Sequence, residues 1–381
     1  MTKSIYFKEE HEMLRAQVSR FVREKVLPNG EQWEQDGMTP RETIREMGEL
    51  GFLGIQYDEE YGGAGLDVLA TVVYAEELGK SSFGGFAITS LVHTDMASPH
   101  LANAGTPAQK AKYMPDIIAG KKITAVAVTE ADAGSDVAGM KSRAVKDGND
   151  WVLNGNKMFI TNGVHADIYF VAAKTDPDAK GSRGVTIFIV EKGAEGFSVG
   201  RSLDKMGWRS SDTAELIFDN VRVPEENILG EVNKGFYAIM KNFQNERIVL
   251  GAQALGEAQK GLELTLEYVK TRKAFGGTLW DKDAIRQRLA KRQSEVAAGQ
   301  QLLYHCAWLE ASGEECVKEV SMVKAYCGEL VNKVMYDCQQ FHGGFGYMRE
   351  AAIERMVRDA RVQSIGGGAT EVMLEEIAKR S

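Results

Sequence analysis

The residues most able to do chemistry fall in six short stretches. Gln244-Asn245-Glu246-Arg247 sits in an apolar run with Phe243, Ile248, Val249 and Leu250. A carboxylate there is either the solvated edge of a helix or a buried base whose pKa burial has raised. VAVTEADAGSD, residues 126–136, is an apolar run ending in Thr129 and Glu130 that turns through Gly134 to Ser135. Backbone amides of Val126, Ala127 and Val128 plus two hydroxyls suit the polar edge of a planar heterocycle, though an ordinary strand and turn reads the same way. KMFITNG, residues 157–163, offers the flat face of Phe159, then Ile160 and the hydroxyl of Thr161, or equally a core phenyl and a surface threonine. RKAFG, residues 272–276, presents Arg272 and Phe275; a guanidinium fork holds phosphate, and a lone Arg is also an ordinary surface charge. QFHGGFGY, residues 340–347, contains Gln340, Phe341, His342, Gly343 and Gly344. Its glycines either cap a helix or admit a bulky ligand to the backbone, and His342 reads as a packing or hydrogen-bonding residue. IGGGATE, residues 365–371, holds Gly367, Gly368, Ala369 and Glu371, with glycines that line a cavity or form a turn.

These stretches need elements to position them. Met13, Val18, Phe21 and Val22 recur at helical spacing, Thr39-Pro40 opens a second helix, and Thr106-Pro107 and Gly120 bracket another. From Ile123 to about Val223 the pattern turns strand-like, and Asn154-Gly155 predicts a tight hairpin. Bunched strands predict an antiparallel barrel or sandwich, not a Rossmann unit. From about Gly230 long helices return, the first running from Phe236 towards Thr271. The fold class is therefore α+β in three parts: a helical domain at 1–122, a β-domain at 123–229 and a helical bundle at 230–381.

Composition narrows the function. The 381 residues carry a net charge of −8, which argues against phosphate-backbone binding and so against nucleic acid as partner. No apolar run of membrane-spanning length occurs, so no membrane role is expected. Cys306, Cys316, Cys327 and Cys338 form no C-x-x-C pair, so no metal site is expected. Free thiols and an N-terminus without a targeting pattern make the cytoplasm the default location. There is no P-loop, no H-E-x-x-H and no G-x-G-x-x-G after a strand.

Taken together and in order, VTEADAGSD, NGNKMFITNG, MGWRSSDTAELIFDNVRVP, RKAFG and QFHGGFGYMRE resemble the acyl-CoA dehydrogenase family along essentially the whole chain. The resemblance implies FAD as cofactor, an acyl-CoA thioester as substrate and electron-transfer flavoprotein as electron acceptor. It implies a homo-oligomer, a tetramer, and a C-terminal part built as a four-helix bundle. Residues 126–135 with Phe159, Ile160 and Thr161 would hold the flavin ring, Thr129 on the pyrimidine side and Thr161 near N5. Ser135 would lie near the thioester. Arg272 and Phe275, with Gln340, Phe341, His342, Gly343 and Gly344, would hold the pyrophosphate and adenosine of a neighbouring subunit's FAD. Gln244, Asn245 and Arg247 would border the acyl cleft with Gly367 and Gly368, and Ala369 and Glu371 would lie near the cofactor.

Many members carry the catalytic glutamate in the C-terminal loop, where this chain has Gly367. The long-chain and isovaleryl branches place it on the long helix, as an E-R dipeptide, and Glu246-Arg247 stands at that position. Glu246 is therefore the expected base for removal of the α-proton, and exchanging the two positions (Glu246→Gly, Gly367→Glu) is expected to retain part of the activity. The three glycines suggest room near the reacting carbons for a long or methyl-branched acyl group. Two positions depart from the family: Ala369 where Thr is common, and Asp283 where Gln is usual. An acyl-CoA oxidase or a flavin monooxygenase on the same fold are the alternative readings.

Overall fold

The structure, a computed structural model, describes residues 4–179 and 183–381. The N-terminal helix Glu9–Phe21 runs through a π-helical turn, Val22–Val26, into Leu27–Asp36. It buries Val18, Phe21 and Val22, whereas Met13, expected on the same face, is exposed. Pro40 precedes Arg41–Glu49. The Asp67 carboxylate caps Val68–Gly79 by accepting the N–H groups of Leu69 and Ala70. Thr106 and Gln109 form a capping box at the start of Pro107–Ile118.

A further helical segment lacks an amphipathic stripe in the sequence. It comprises Gly84–Leu91, a π-helical turn at Val92–Ala97 and Ser98–Ala104. The first two pieces are buried on every side, so no polar face marks a helical period.

The strands are β1 Thr124–Ala127, β2 Arg143–Asp147, β3 Asp150–Thr161, β4 Ile168–Lys174, β5 Val185–Glu191, β6 Phe197–Ser202, β7 Thr213–Pro224 and β8 Ile228–Leu229. They form one sheet in the order β6-β7-β3-β2-β4-β5-β8, with β1 added on β4. Most pairings are antiparallel, as expected, but β1 and β2 each run parallel to β4. The hairpin expected at Asn154-Gly155 does not form. β3 passes straight through, with a register shift between Leu153 and Gly155 against β7, so the glycine marks a β-bulge. Gly155 has φ +146°, and a Cβ there would lie 2.3 Å from Ser142 Oγ. The true hairpin turns at Gly148-Asn149, between β2 and β3.

The C-terminal part packs the helices Gly235–Thr271, Asp283–Ala311 and Val317–His342, with Thr370–Ala378 closing the bundle along the third. Helix Val68–Gly79 also packs on Gly235–Thr271, so the largest apolar core joins the first and third parts. No helix among the described residues is long and apolar enough to cross a membrane.

Candidate active site

Glu246 lies in the buried middle of the helix Gly235–Thr271 and is 7% exposed. The Asn242 amide, one turn earlier, donates to Glu246 Oε1 at 3.0 Å and to the Met96 carbonyl at 2.9 Å. Burial pushes the Glu246 carboxyl up to about 8, against the opposing pull of Asn242 and of Arg247. The surface-edge reading of this glutamate is therefore excluded by its burial.

The π-helical turn Val92–Ala97 explains how a distant segment reaches this helix. A π turn breaks the regular ladder and frees carbonyls. Three of them face polar side chains here: Thr94 O accepts from Gln56, Asp95 O from Asn245, and Met96 O from Asn242. Asp95 is itself buried, takes a hydrogen bond from Gln56 at 3.0 Å, and is pushed up to about 7 by burial.

The C-terminal loop closes on the same helix turn. Lys324 donates to Gln363 O at 2.6 Å and to Gly368 O at 3.2 Å, pinning both sides of the glycine run. Burial, then the nearby Arg247 charge, lowers the Lys324 ammonium to about 8. Gly367 has φ +64°, and a Cβ on it would lie 2.2 Å from Leu250 Cδ1. A Cβ on Gly368 would meet Met373 at 2.8 Å. Gly367 and Gly368 thus lie close against the ends of the Leu250 and Met373 side chains, whereas Gly366 has only ordinary contacts. For the exchange of Glu246 and Gly367, a side chain at Gly367 would have to displace the end of the Leu250 side chain and would strain a left-handed backbone. Among the described residues, Gly367 and Gly368 donate their N–H groups to no protein carbonyl.

The two heterocycle-binding stretches also meet. Met158 N–H donates to Thr129 O at 2.9 Å, joining residues 126–136 to β3. Lys157, fully buried, donates to Val128 O at 3.0 Å and to Glu130 Oε1 at 2.8 Å. Burial would raise the Glu130 carboxyl, but Lys157 and the N–H groups of Lys141 and Ser142 bring it down to about 2. Val128 and Ala133 share an apolar cluster with Ile239, and Phe243 packs against it. That places the loop beside the first turns of the helix that carries Glu246. Thr129 and Thr161 are half-buried, and Gly134 and Ser135 are exposed.

Phe159 tests whether a flat cofactor fits. It stands at a register shift with φ +62° and is 63% exposed. A bulky side chain in the left-handed region costs on the order of 1–3 kcal/mol, and here most of the residue is left exposed rather than packed. A planar ligand on its face would account for both features. The residues therefore fit a flavin.

Arg272, Phe275 and residues 340–344 gather elsewhere. Tyr268, in the last turn of the long helix, stacks on His342 at 4.4 Å and lies near Phe345. His342 Nδ1 is bonded to Cys338 O, the packing role expected of it. Phe275 projects from a tight hairpin with φ +51° and is 90% exposed. Arg272, Gln340, Gly343 and Gly344 are exposed, Phe341 half-buried. At about 1.5 Å per residue, Arg272 lies roughly 39 Å along the helix from Glu246. The structure does not bring this second cluster to the Glu246 site of its own chain. Glu371 is exposed and Ala369 half-buried beside the glycine run, while Gln244 and Asn245 are half-buried beside Glu246. Asn242, Asp95 and Lys324 were not singled out from sequence. Only Asn242 carried a signal, its four-residue spacing from Glu246.

Comparison with known proteins covers all three parts of the chain. The acyl-CoA dehydrogenase N-terminal domain model matches residues 8–121, the middle domain model 125–221 and the C-terminal domain model 233–381. The mouse (Mus musculus) mitochondrial long-chain specific acyl-CoA dehydrogenase is 40% identical over 375 residues, covering 98% of this chain and 87% of its own length. The mitochondrial isovaleryl-CoA dehydrogenase of Pongo abelii is 40% identical over 367 residues, covering 96% and 86%. An acyl-CoA dehydrogenase structure from Geobacillus kaustophilus superposes with a TM-score of 0.95 at 41% identity, over 99% of both chains. A glutaryl-CoA dehydrogenase from Mycobacterium smegmatis, solved in complex with FADH2, superposes with a TM-score of 0.93 at 30% identity, over 98% and 95%. Glu246 in its buried helix, the joined loop and strand with their exposed phenyl, and matches across all three parts converge on one assignment: this chain belongs to the acyl-CoA dehydrogenase family, oxidoreductases whose cofactor is FAD.

Proposed function

We propose that the protein oxidises an acyl-CoA across its α and β carbons to the trans-2-enoyl-CoA, with Glu246 as the base that takes the α-proton. Burial carries this reading. A carboxyl raised to about 8 is a stronger base than a surface glutamate and titrates near the working pH, which is what proton transfer from an activated carbon needs. The alternative position in the loop is a glycine whose left-handed backbone, φ +64°, disfavours a side chain.

The chain's own groups divide the work. The α C–H becomes acidic when negative charge gathering on the thioester oxygen is stabilised. The uncommitted N–H groups of Gly367 and Gly368 are suited to that oxygen, and Lys324 holds their loop in place. Residues 126–135 with Phe159, Ile160 and Thr161 would hold the flavin ring, whose chemistry when bound is to accept the β-hydrogen with its electron pair. Burial in the middle of its helix keeps water from Glu246. The cluster at Arg272, Phe275 and residues 340–344, remote from the Glu246 of its own subunit, would bind the FAD of a neighbour in a homotetramer. Electron-transfer flavoprotein would be the acceptor.

Anaerobic stopped-flow bleaching of the flavin by acyl-CoA tests the base. Glu246→Gln should retain FAD and fold, and bleach ~10²–10⁴-fold more slowly. Bleaching at the wild-type rate would remove Glu246 from the role.

A further inference from the structure

We infer that Asn242 is a positioning residue for Glu246, one that favours the ionised carboxylate and so sets the pH at which the base becomes active. The inference rests on the reading of Glu246 as the base. It stands on geometry. Asn242 is 4% exposed, and its side chain faces two oxygens, Glu246 Oε1 at 3.0 Å and Met96 O at 2.9 Å. A backbone carbonyl only accepts, and an ionised carboxylate only accepts. The NH2 end of the amide must therefore point at both, which fixes which way the amide faces without seeing a hydrogen. Its two N–H bonds are divided between the carboxylate and the π-helical turn. One amide thus ties the base to a segment 146 residues away.

The division has a chemical consequence. A hydrogen bond to the charged form stabilises that form, and a protonated Glu246 would keep only a weaker neutral bond. Burial raises the pH at which the base ionises. Asn242 opposes that rise without adding a charge, so the carboxylate forms at a lower pH than burial alone would allow. The other charged groups near this turn act differently. Arg247 follows Glu246 on the same helix, and its Nε has no partner among the described residues. Asp95 faces the helix from the π-helical turn through Asn245. Lys324 from the third bundle helix, Glu376 from the last and Arg380 just beyond its end interact with Arg247. None of these donates a hydrogen bond to Glu246.

The test is the pH profile of flavin bleaching, measured anaerobically in the FAD-loaded protein with the acyl-CoA that the wild type oxidises fastest. Asn242→Leu should move the acid limb up by about one pH unit, lowering the rate at pH 7 by ~10-fold while the high-pH plateau stays within ~3-fold. Asn242→Asp, of nearly the same shape, replaces the donor with an acid and should move the limb at least as far; it decides the matter if the Leu variant does not fold. Asn242→Gln, which retains an amide at a spacing that reaches Glu246, should return the limb towards the wild-type position. A limb that stays within about 0.3 units in both the Leu and Asp variants, whatever their thermal stability, overturns the inference. So does a limb that moves with Asp95→Asn and not with Asn242. Glu246→Gln in the same series separates the two claims: wild-type bleaching there sinks the base itself, and loss there with an unmoved limb sinks only Asn242.

Discussion

Gly367 and Glu246 show how one residue constrains another across the site. The glycine has a positive φ and touches the Leu250 side chain, which stands one helical turn beyond Glu246. A carboxylate in the loop therefore requires the end of the Leu250 side chain to move aside. The pair Glu246→Gly with Gly367→Glu is expected to retain only part of the activity and to be less stable than wild type. Adding Leu250→Ala removes the crowding methyls and should raise the bleaching rate, which stays below wild type because the left-handed backbone at 367 remains strained. Steady-state assay and thermal melts of the double and triple variants check this; equal activity in the two would show that Leu250 is not the obstacle. The residue scale is also where the sequence was least legible. Glu246 and Gly367 stood out by position, but Leu250 looked like any core leucine, and neither Met96 nor Lys324 carries a local pattern that points at a site.

Elements were more legible where a polar face or a cap marked them. The helix begun by Thr106 lies where its capping residue puts it. The segment 84–104 escaped because burial on all sides erased its period, and Asn154-Gly155 misled because a bulge and a hairpin call for the same residues. β3 shows what the bulge achieves. It lets one strand run the length of the domain, and a second register shift, between Lys157 and Ile160, delivers Lys157 inward and Phe159 outward two residues later. Lys157 holds the end of β1 through Val128 O and Glu130. Removing one partner of a buried pair typically costs about 3–5 kcal/mol, more than removing both. Lys157→Met should therefore lower the melting temperature sharply and release FAD on gel filtration, and Lys157→Met with Glu130→Gln should be less damaged than Lys157→Met alone. Additive losses would show that the two side chains are not coupled.

The whole molecule buries an unusual set of acids, and its stability should record them. Burial pushes Asp95 and Asp359 up to about 7, and Glu246 and Glu257 up to about 8. Their unfolded values lie near 4. Between those limits the folded chain keeps protons that the unfolded chain has released, so stability falls as pH rises, and the loss is complete only above the folded values. Two buried histidines act on the other side. His93 and His100 are pushed down to about 4 by burial, so they cost stability only as pH drops below their unfolded value near 6.5. The buried lysines Lys205 and Lys324, lowered to about 8, come into play above that. The acids therefore dominate between about pH 6.5 and 7.5, and the melting temperature of the holoenzyme should fall across that window. Glu257 provides the check, because it belongs to none of the proposed chemistry. It is buried in the same long helix, takes a hydrogen bond from Gln253 at 2.8 Å, and its Oε2 has no partner among the described residues. Glu257→Gln removes one of the four titrations and should flatten the slope while leaving flavin bleaching unchanged. A melting temperature that is level or rises from pH 6.5 to 7.5 would mean that these carboxyls ionise in the folded protein much as they do in water.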